Sequence, residues 1–259
     1  MRTKQELLLS IPFEYLLGFI EETILTRGKN NYFTKKDFVH CLINSLDFSE
    51  CEWLVKNYEN DMPYKKAASE YLEFHPTGNM LTKKFSDVIK KPYNEEIILY
   101  EFLIPSTRAD IVQIGDLSQA YELKSIRDSF KRILNQILAL EKIFDITYIV
   151  VSFDALKECE KYIDDIVGIY IYNVRKDGVS FKLLKSANRS NFIIPKRQLD
   201  ILHKPELINL YKNSFHETPN CSIISLKEKI LSYNSPEEIN LIFKETIKNR
   251  YFSFQKNLC

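Results

Sequence analysis

No charge of one sign dominates this chain: 36 Lys and Arg stand against 35 Asp and Glu over 259 residues, a formal net charge of +1. That balance excludes the global cationic field of many nucleic-acid-binding domains. Paired cysteines are missing as well. The five cysteines (Cys41, Cys51, Cys159, Cys221, Cys259) are odd in number and scattered, with no Cys-x-x-Cys. None of the four histidines stands at ligand spacing to a cysteine or to another histidine. Zinc and a disulfide framework are therefore both disfavoured. Long apolar runs are also lacking. The stretch after Met1–Glu6 is broken by Pro12 and Glu14, too interrupted for a signal peptide or a membrane span. A reduced, cytoplasmic protein is the resulting expectation, and no internal repeat or low-complexity segment modifies it.

What is present is enough apolar material for a substantial core, 45% of residues, and an uneven distribution of charge. Residues 175–197 hold seven bases (Arg175, Lys176, Lys182, Lys185, Arg189, Lys196, Arg197) and one acid, Asp177. Such a strip fits a surface that meets phosphates; a solvated hairpin face explains the same charges.

The pattern of apolar residues changes along the chain. Over residues 4–75, Leu7, Leu8, Ile11, Tyr15, Leu16, Phe19 and Ile20 recur at helical spacing. Thr34-x-x-Asp37 and Ser49-x-x-Glu52 resemble capped helix starts. A helix-turn-helix over residues 34–57 fits these signals, but simple helix packing does too, and the segment is acidic, which disfavours phosphate contact. Residues 75–79 read as a loop and the best boundary. Further on, Glu95–Phe102 admits helix or strand, Arg108–Gln113 and Gln119–Ser125 read as strands, and Asp128–Phe144 has a helical period. Thr147–Phe153 is a β-branched run suited to a buried strand. After a helix near residues 154–164, Val167–Val174 and Val179–Leu184 read as strands joined at Asp177-Gly178, a hairpin signal. The tail reads as helix at Pro205–Phe215, from Ser225, and from Ser235, where proline occupies the first helical position.

The most informative stretch runs from Arg108 to Gln136. In a strand, alternate side chains share a face, so Glu122 and Lys124 point the same way while Leu123 turns into the core. Pairing across Gly115-Asp116 brings Asp110 beside Glu122. Two carboxylates suit Mg²⁺, which keeps several waters, and the Leu123 carbonyl adds a third donor. Lys124 then orients the attacking water and offsets charge at a phosphate. The competing explanation is ordinary, since Glu-x-Lys is common on a solvated strand face. Elsewhere, Tyr170 and Tyr172 suit base stacking or, more commonly, packing within the sheet, and Trp53 reads as core.

The segment resembles the PD-(D/E)XK nuclease superfamily, and in particular a bacterial and prophage-borne branch. The residues that carry the likeness are Arg108-Ala109-Asp110, Glu122-Leu123-Lys124-Ser125, Asp128-Ser129-Phe130-Lys131-Arg132 with Gln136, and Phe144-Asp145-x-x-Tyr148-Ile149-Val150-Val151. The resemblance spans roughly residues 94–192. It implies metal ligation by Asp110, Glu122 and the Leu123 carbonyl, a catalytic Lys124, and Gln136 reaching back to the site. It also implies an additional acid, Glu101 before Glu96. The sequence departs from the pattern at Ala109, where the superfamily name has proline, and at Leu140, where an aromatic is common in RecB-like members.

The expectations are therefore an α/β fold with a restriction-endonuclease-like mixed sheet flanked by helices. Its regions are a helical one (1–78), a nuclease core (79–194) and a C-terminal helical one (195–259). The expected activity is a Mg²⁺- or Mn²⁺-dependent nuclease acting on DNA, gripped through Arg127, Lys131, Arg132, Lys182 and Lys185. No membrane partner is expected; a homodimer or a partner protein is left open. The alternative is a non-catalytic nucleic-acid- or protein-binding module on the same fold.

Overall fold

The computed structural model describes residues 2–23, 39, 42–43, 46, 48–74, 78–90, 96–125, 130–175 and 178–256. The chain divides into two compact units, Met1–Thr77 with Val174–Gly178, and Gly78–Asn173 with Val179–Cys259. Among the described residues no helix is long and apolar enough to cross a membrane.

The first unit is helical. Its described helices are α1 (Lys4–Leu9), α2 (Phe13–Thr23), α3 (Phe48–Glu59) and α4 (Tyr64–Phe74). Thr3 and Glu6 close a reciprocal capping box on α1. Leu8, Ile11, Leu16, Phe19 and Ile20 pack with Cys51, Leu54, Ala67 and Tyr71 into one core, as the three-to-four spacing requires. Trp53 is partly buried on this core, its ring against Phe19 and Tyr71. α3 begins at Phe48, so Ser49 stands inside the first turn rather than before it. The Thr34 start and much of the suggested helix-turn-helix lie outside the described residues.

The second unit opens with α5 (Gly78–Ile89), so the reading of 78–79 as loop gives way to helix. Its signal was present in Leu81, Phe85 and Ile89, spaced i, i+4, i+8 and all buried. A six-stranded sheet follows in the order β1-β2-β3-β4-β5-β6. The strands are β1 (Ile97–Ile104), β2 (Thr107–Ile114), β3 (Ser118–Leu123), β4 (Ile146–Ser152), β5 (Gly168–Arg175) and β6 (Gly178–Lys185). β1, β2 and β3 pair antiparallel, while β4 joins β3, and β5 joins β4, in parallel. The parallel step requires a crossover, and α6 (Ile133–Glu141), entered by a 3₁₀ turn at Phe130–Arg132, supplies it. Between β4 and β5 the helix is shorter than the expected 154–164. It is a 3₁₀ turn at Phe153–Ala155 followed by α7 (Leu156–Cys159).

The two faces of the sheet differ in chemistry. Tyr121, Tyr148 and Tyr170 form an aromatic cluster with Phe85 of α5 and Phe181 of β6. A Cβ at Gly168 would lie 2.2 Å from the Tyr148 ring, so this position has room only for glycine. Ile149, Val151, Ile169 and Ile171 pack with Ile133 and Ile137 of α6.

The tail forms α8 (Pro195–Ile201), α9 (Lys204–Phe215), α10 (Ile223–Tyr233) and α11 (Pro236–Lys256). Read from the sequence as an extension, it instead shares a core with the sheet: Leu199, Leu207, Leu226, Ile239 and Phe243 join Val112, Ala120 and Phe144. α10 starts one turn earlier than expected, because Ser222 caps it by accepting the Ser225 N–H. Ser235 caps α11 as expected, in a reciprocal box with Glu238.

Asp145 ties this core together at the N-terminal end of β3 and β4. Its buried carboxylate accepts from the Ser118 N–H and hydroxyl, Arg189 and Asn240, with Lys244 at 3.5 Å. Burial alone would raise this carboxyl, but the hydrogen bonds from Ser118 and Asn240 and the Lys244 charge outweigh it and hold it below the usual range.

Candidate functional site

At the opposite, C-terminal end of β3 the chain leaves the sheet, and three polar side chains close on one another. Glu122 Oε1 accepts from Lys124 Nζ at 2.8 Å and from Gln136 Nε2 at 2.7 Å; Lys124 Nζ also donates to Gln136 Oε1 at 2.9 Å. Glu122 is 2% exposed and Lys124 8%, so the pair lies out of bulk water. The period of two places Glu122 and Lys124 on the same face, and α6, crossing that face, delivers Gln136. The Lys124 backbone is fixed from two sides: its N–H donates to the Val150 carbonyl at 2.8 Å, and its carbonyl accepts from Tyr172 Oη at 3.1 Å.

Asp110 stands on the neighbouring strand. The β2–β3 register pairs Ile111 with Tyr121, which brings Asp110 level with Glu122. Asp110 Oδ2 accepts the Leu123 N–H at 2.7 Å. Burial is the largest influence on this carboxyl and pushes it up, helped by the Glu101 charge; the Leu123 N–H and the Lys124 charge oppose it without winning. A cation between the two carboxylates would relieve the cost of ionising both.

Glu101 is level with Asp110 across the β1–β2 register, but its carboxylate forms an ion pair with Arg108 and is half exposed. Its backbone takes φ 53°, a left-handed value uncommon for a residue with a Cβ. Glu96, the second choice for an added acid, lies at the other end of β2, where it accepts from Gln113 Nε2 at 2.5 Å. It is therefore absent from the cluster.

The expected phosphate-contacting residues have separate surroundings. Arg132 is exposed at the start of α6; Arg127 and the side chain of Lys131 lie outside the described residues. Lys182 is exposed on β6, whereas Lys185, three positions on and so on the other face, donates to the Asp164 carbonyl at 3.4 Å. Arg189, part of the same basic segment, is a ligand of Asp145. Tyr170 and Tyr172 belong to the sheet interior rather than to a stacking surface, Tyr172 being 1% exposed. Neither residue spacing nor the resemblance suggests the roles of Tyr172 and Val150 in holding the Lys124 backbone.

The donor set available to a metal is the buried Glu122 carboxylate and the partly buried Asp110 carboxylate, with the Leu123 backbone. Among the described residues no group of three His, Cys, Asp or Glu side chains is placed to hold a metal ion. Two carboxylates suffice for Mg²⁺, which completes its octahedron with water, so the residues fit such an ion. A cavity of about 740 Å³ lies elsewhere, between β1 and the C-terminal helices, and meets the site only at Glu101.

Fold and site thus define a mixed α/β protein whose central sheet carries a buried carboxylate–amine–amide cluster at one end. The profile of the family "Bacteriophage P4 protein cII" matches residues 81–259, and the chain belongs to that family. The match covers the sheet and the C-terminal helices and leaves the first helical unit outside. A relative is "Protein cII" of Enterobacteria phage P4, 28% identical over 149 residues, 56% of this chain and 55% of the relative. The chain thus aligns with about half the length of that relative. No solved structure matches.

Proposed function

We propose that the chain is a divalent-metal-dependent nuclease of the PD-(D/E)XK type that hydrolyses phosphodiester bonds in DNA. One observation carries this reading: the closed Glu122–Lys124–Gln136 cluster with Asp110 level on the next strand. A structural ion pair does not call for a second, partly buried carboxylate whose ionisation is opposed by desolvation, whereas a cation site does. The order of elements supports it further, since α5, β1–β3, α6 and β4 put both carboxylates on adjacent strands and return Gln136 to them from the crossover helix.

Asp110 and Glu122 would hold Mg²⁺ or Mn²⁺, and the bound ion supplies Lewis-acid polarisation of the phosphoryl group. The chain contributes the rest. Lys124 holds its amine in a water-poor site, placed to offset charge gathering on the phosphate and to orient the attacking water. Gln136 fixes the Glu122 carboxylate and the Lys124 amine in one geometry, and Tyr172 and Val150 hold the backbone that presents them.

The test is cleavage of a panel of linear, nicked, branched and single-stranded substrates with Mg²⁺ or Mn²⁺ and with chelator. Cleavage is expected with metal and not with chelator, and Glu122→Ala and Lys124→Ala are expected to abolish it. Activity that survives in both variants removes these residues from the mechanism. A non-catalytic binding module on the same fold is the second reading, favoured by the lack, among the described residues, of a third acidic ligand in the cluster.

A further inference from the structure

A second site lies on the solvent face of α6. A pocket of about 250 Å³ is lined by Pro105 and Ser106 of the β1–β2 turn, by Asn135, Leu138, Ala139, Lys142 and Ile143, and by Arg197 of α8. Asn135, Leu138, Ala139 and Lys142 follow the i, i+3, i+4, i+7 spacing of one helix face. The Ile194 N–H donates to the Lys142 carbonyl at 2.9 Å, which fixes the start of α8 against the end of α6 and brings Arg197 beside Lys142. Two cations, a hydroxyl and an amide therefore converge, with no acid in the lining. Neither Lys142 nor Arg197 has an ion-pair or side-chain hydrogen-bond partner among the described residues. This contrasts with Lys227, Lys244 and Arg250 of the same unit, each of which is engaged. Like charges held together without a counter-ion repel, and an anion removes that cost.

We propose that this pocket binds a phosphate group of the nucleic-acid strand, upstream or downstream of the bond cleaved; the assignment of the strand rests on the nuclease reading above. Adjacent residues of α6 serve the two sites, Gln136 the carboxylate–amine cluster and Asn135 the pocket. Lys142 is six residues beyond Gln136, ~9 Å along the helix axis. That distance spans two to three phosphates at the ~3.4 Å axial spacing of one duplex strand. A phosphate in the pocket would thus set the register of the strand over the cluster.

The test is equilibrium binding of a labelled oligonucleotide by fluorescence anisotropy, in chelator so that nothing is cleaved, over a series of salt concentrations. Pyrophosphate is titrated in parallel by calorimetry. Lys142→Gln with Arg197→Gln alters exposed side chains and is expected to leave the fold intact. It should weaken oligonucleotide binding about tenfold or more at low salt, reduce the salt slope by about one, and remove pyrophosphate binding. Lys83→Gln with Lys84→Gln, two exposed lysines of α5, removes the same charge from another surface and is expected to do less. Unchanged oligonucleotide affinity in the pocket variant overturns the proposal, as does an equal loss in the α5 control. Loss of pyrophosphate binding alone also overturns it, because the anion would then not belong to the strand. The readings separate cleanly: a wild type that binds through the pocket but cleaves no substrate with metal defeats the nuclease reading and not this one.

Discussion

Replacing Lys124 by Met separates the stability of the cluster from its chemistry. Met keeps most of the apolar stem and removes the ammonium, so the loss of packing is small. What remains is Glu122, 2% exposed, with its ion pair broken. Removing one partner of a buried pair costs about 3–5 kcal/mol, because the other charge is left uncompensated. Gln136 still donates to Glu122 Oε1 and offsets about 1 kcal/mol. A net loss of ~2–4 kcal/mol at neutral pH follows from these terms. Urea denaturation followed by far-UV circular dichroism measures the loss, and fluorescence of Trp53, the single tryptophan, reports on the helical unit separately. Adding Glu122→Gln removes the stranded charge, and the double variant should return to within ~1 kcal/mol of wild type while remaining inactive on DNA. A Lys124→Met protein that loses less than ~0.5 kcal/mol at pH 7 would show that the pair is not desolvated. A double variant that cleaves DNA would refute the catalytic assignment.

The remaining predictions concern three other carboxyls, Asp110, Asp145 and Glu141. Calorimetry should detect Mn²⁺ binding to the wild type and none to Asp110→Asn; because burial raises the Asp110 carboxyl, the wild-type affinity should climb as pH rises through its titration. Asp145→Asn puts an amide where several donors converge and should cost about 3–5 kcal/mol at pH 7 in the same urea assay. The Asp145 carboxyl is held below its unfolded value of about 3.9, so its contribution is present above that pH and lost as pH falls through the folded value. The gap between wild type and variant should therefore close in strong acid. Glu141 is 2% exposed, and burial, with Asp164 nearby, raises its carboxyl. The folded state favours its neutral form, so its cost is nil below about pH 4.3 and grows as pH rises towards the folded value. Glu141→Gln should accordingly stabilise by up to about 1 kcal/mol at pH 7 and by nothing at pH 3; equal effects at both pH values would refute this.

Much of the site could be read from spacing alone. The period of two in Glu122-Leu123-Lys124 dictates a shared face, and the short Gly115-Asp116 break dictates antiparallel pairing that brings Asp110 level with Glu122. The resemblance alone assigns Gln136 to the site; the helical period of α6 says only that it lies off the apolar stripe of Ile133, Ile137 and Leu140. The strands at 107–114, 118–123 and 146–152 were legible for the same reason: each is a local pattern with one dominant period. Local pattern also misled, because a serine three residues before an acid occurs inside helices as well as at their starts, and both Ser49 and Ser225 stand within the first turn rather than before it.

Tertiary structure decided the rest. The tail shows helical periods and no sign of which neighbour they cover, and only the assembled sheet offers the apolar face over Val112 and Ala120 that the C-terminal helices close. Charge along the sequence is likewise silent about pairing. Arg189 and Lys185 belong to one basic segment, yet folding gives the first to a buried Asp145 and the second to the Asp164 carbonyl. Lys142 and Arg197, 55 positions apart, line one pocket with no counter-ion among the described residues, the Ile194 N–H docking on the end of α6. Periodicity is a property of neighbours along the chain, so the sequence determines the elements and the faces they present. Desolvation and charge pairing depend on residues distant in sequence, and only the packed structure determines them.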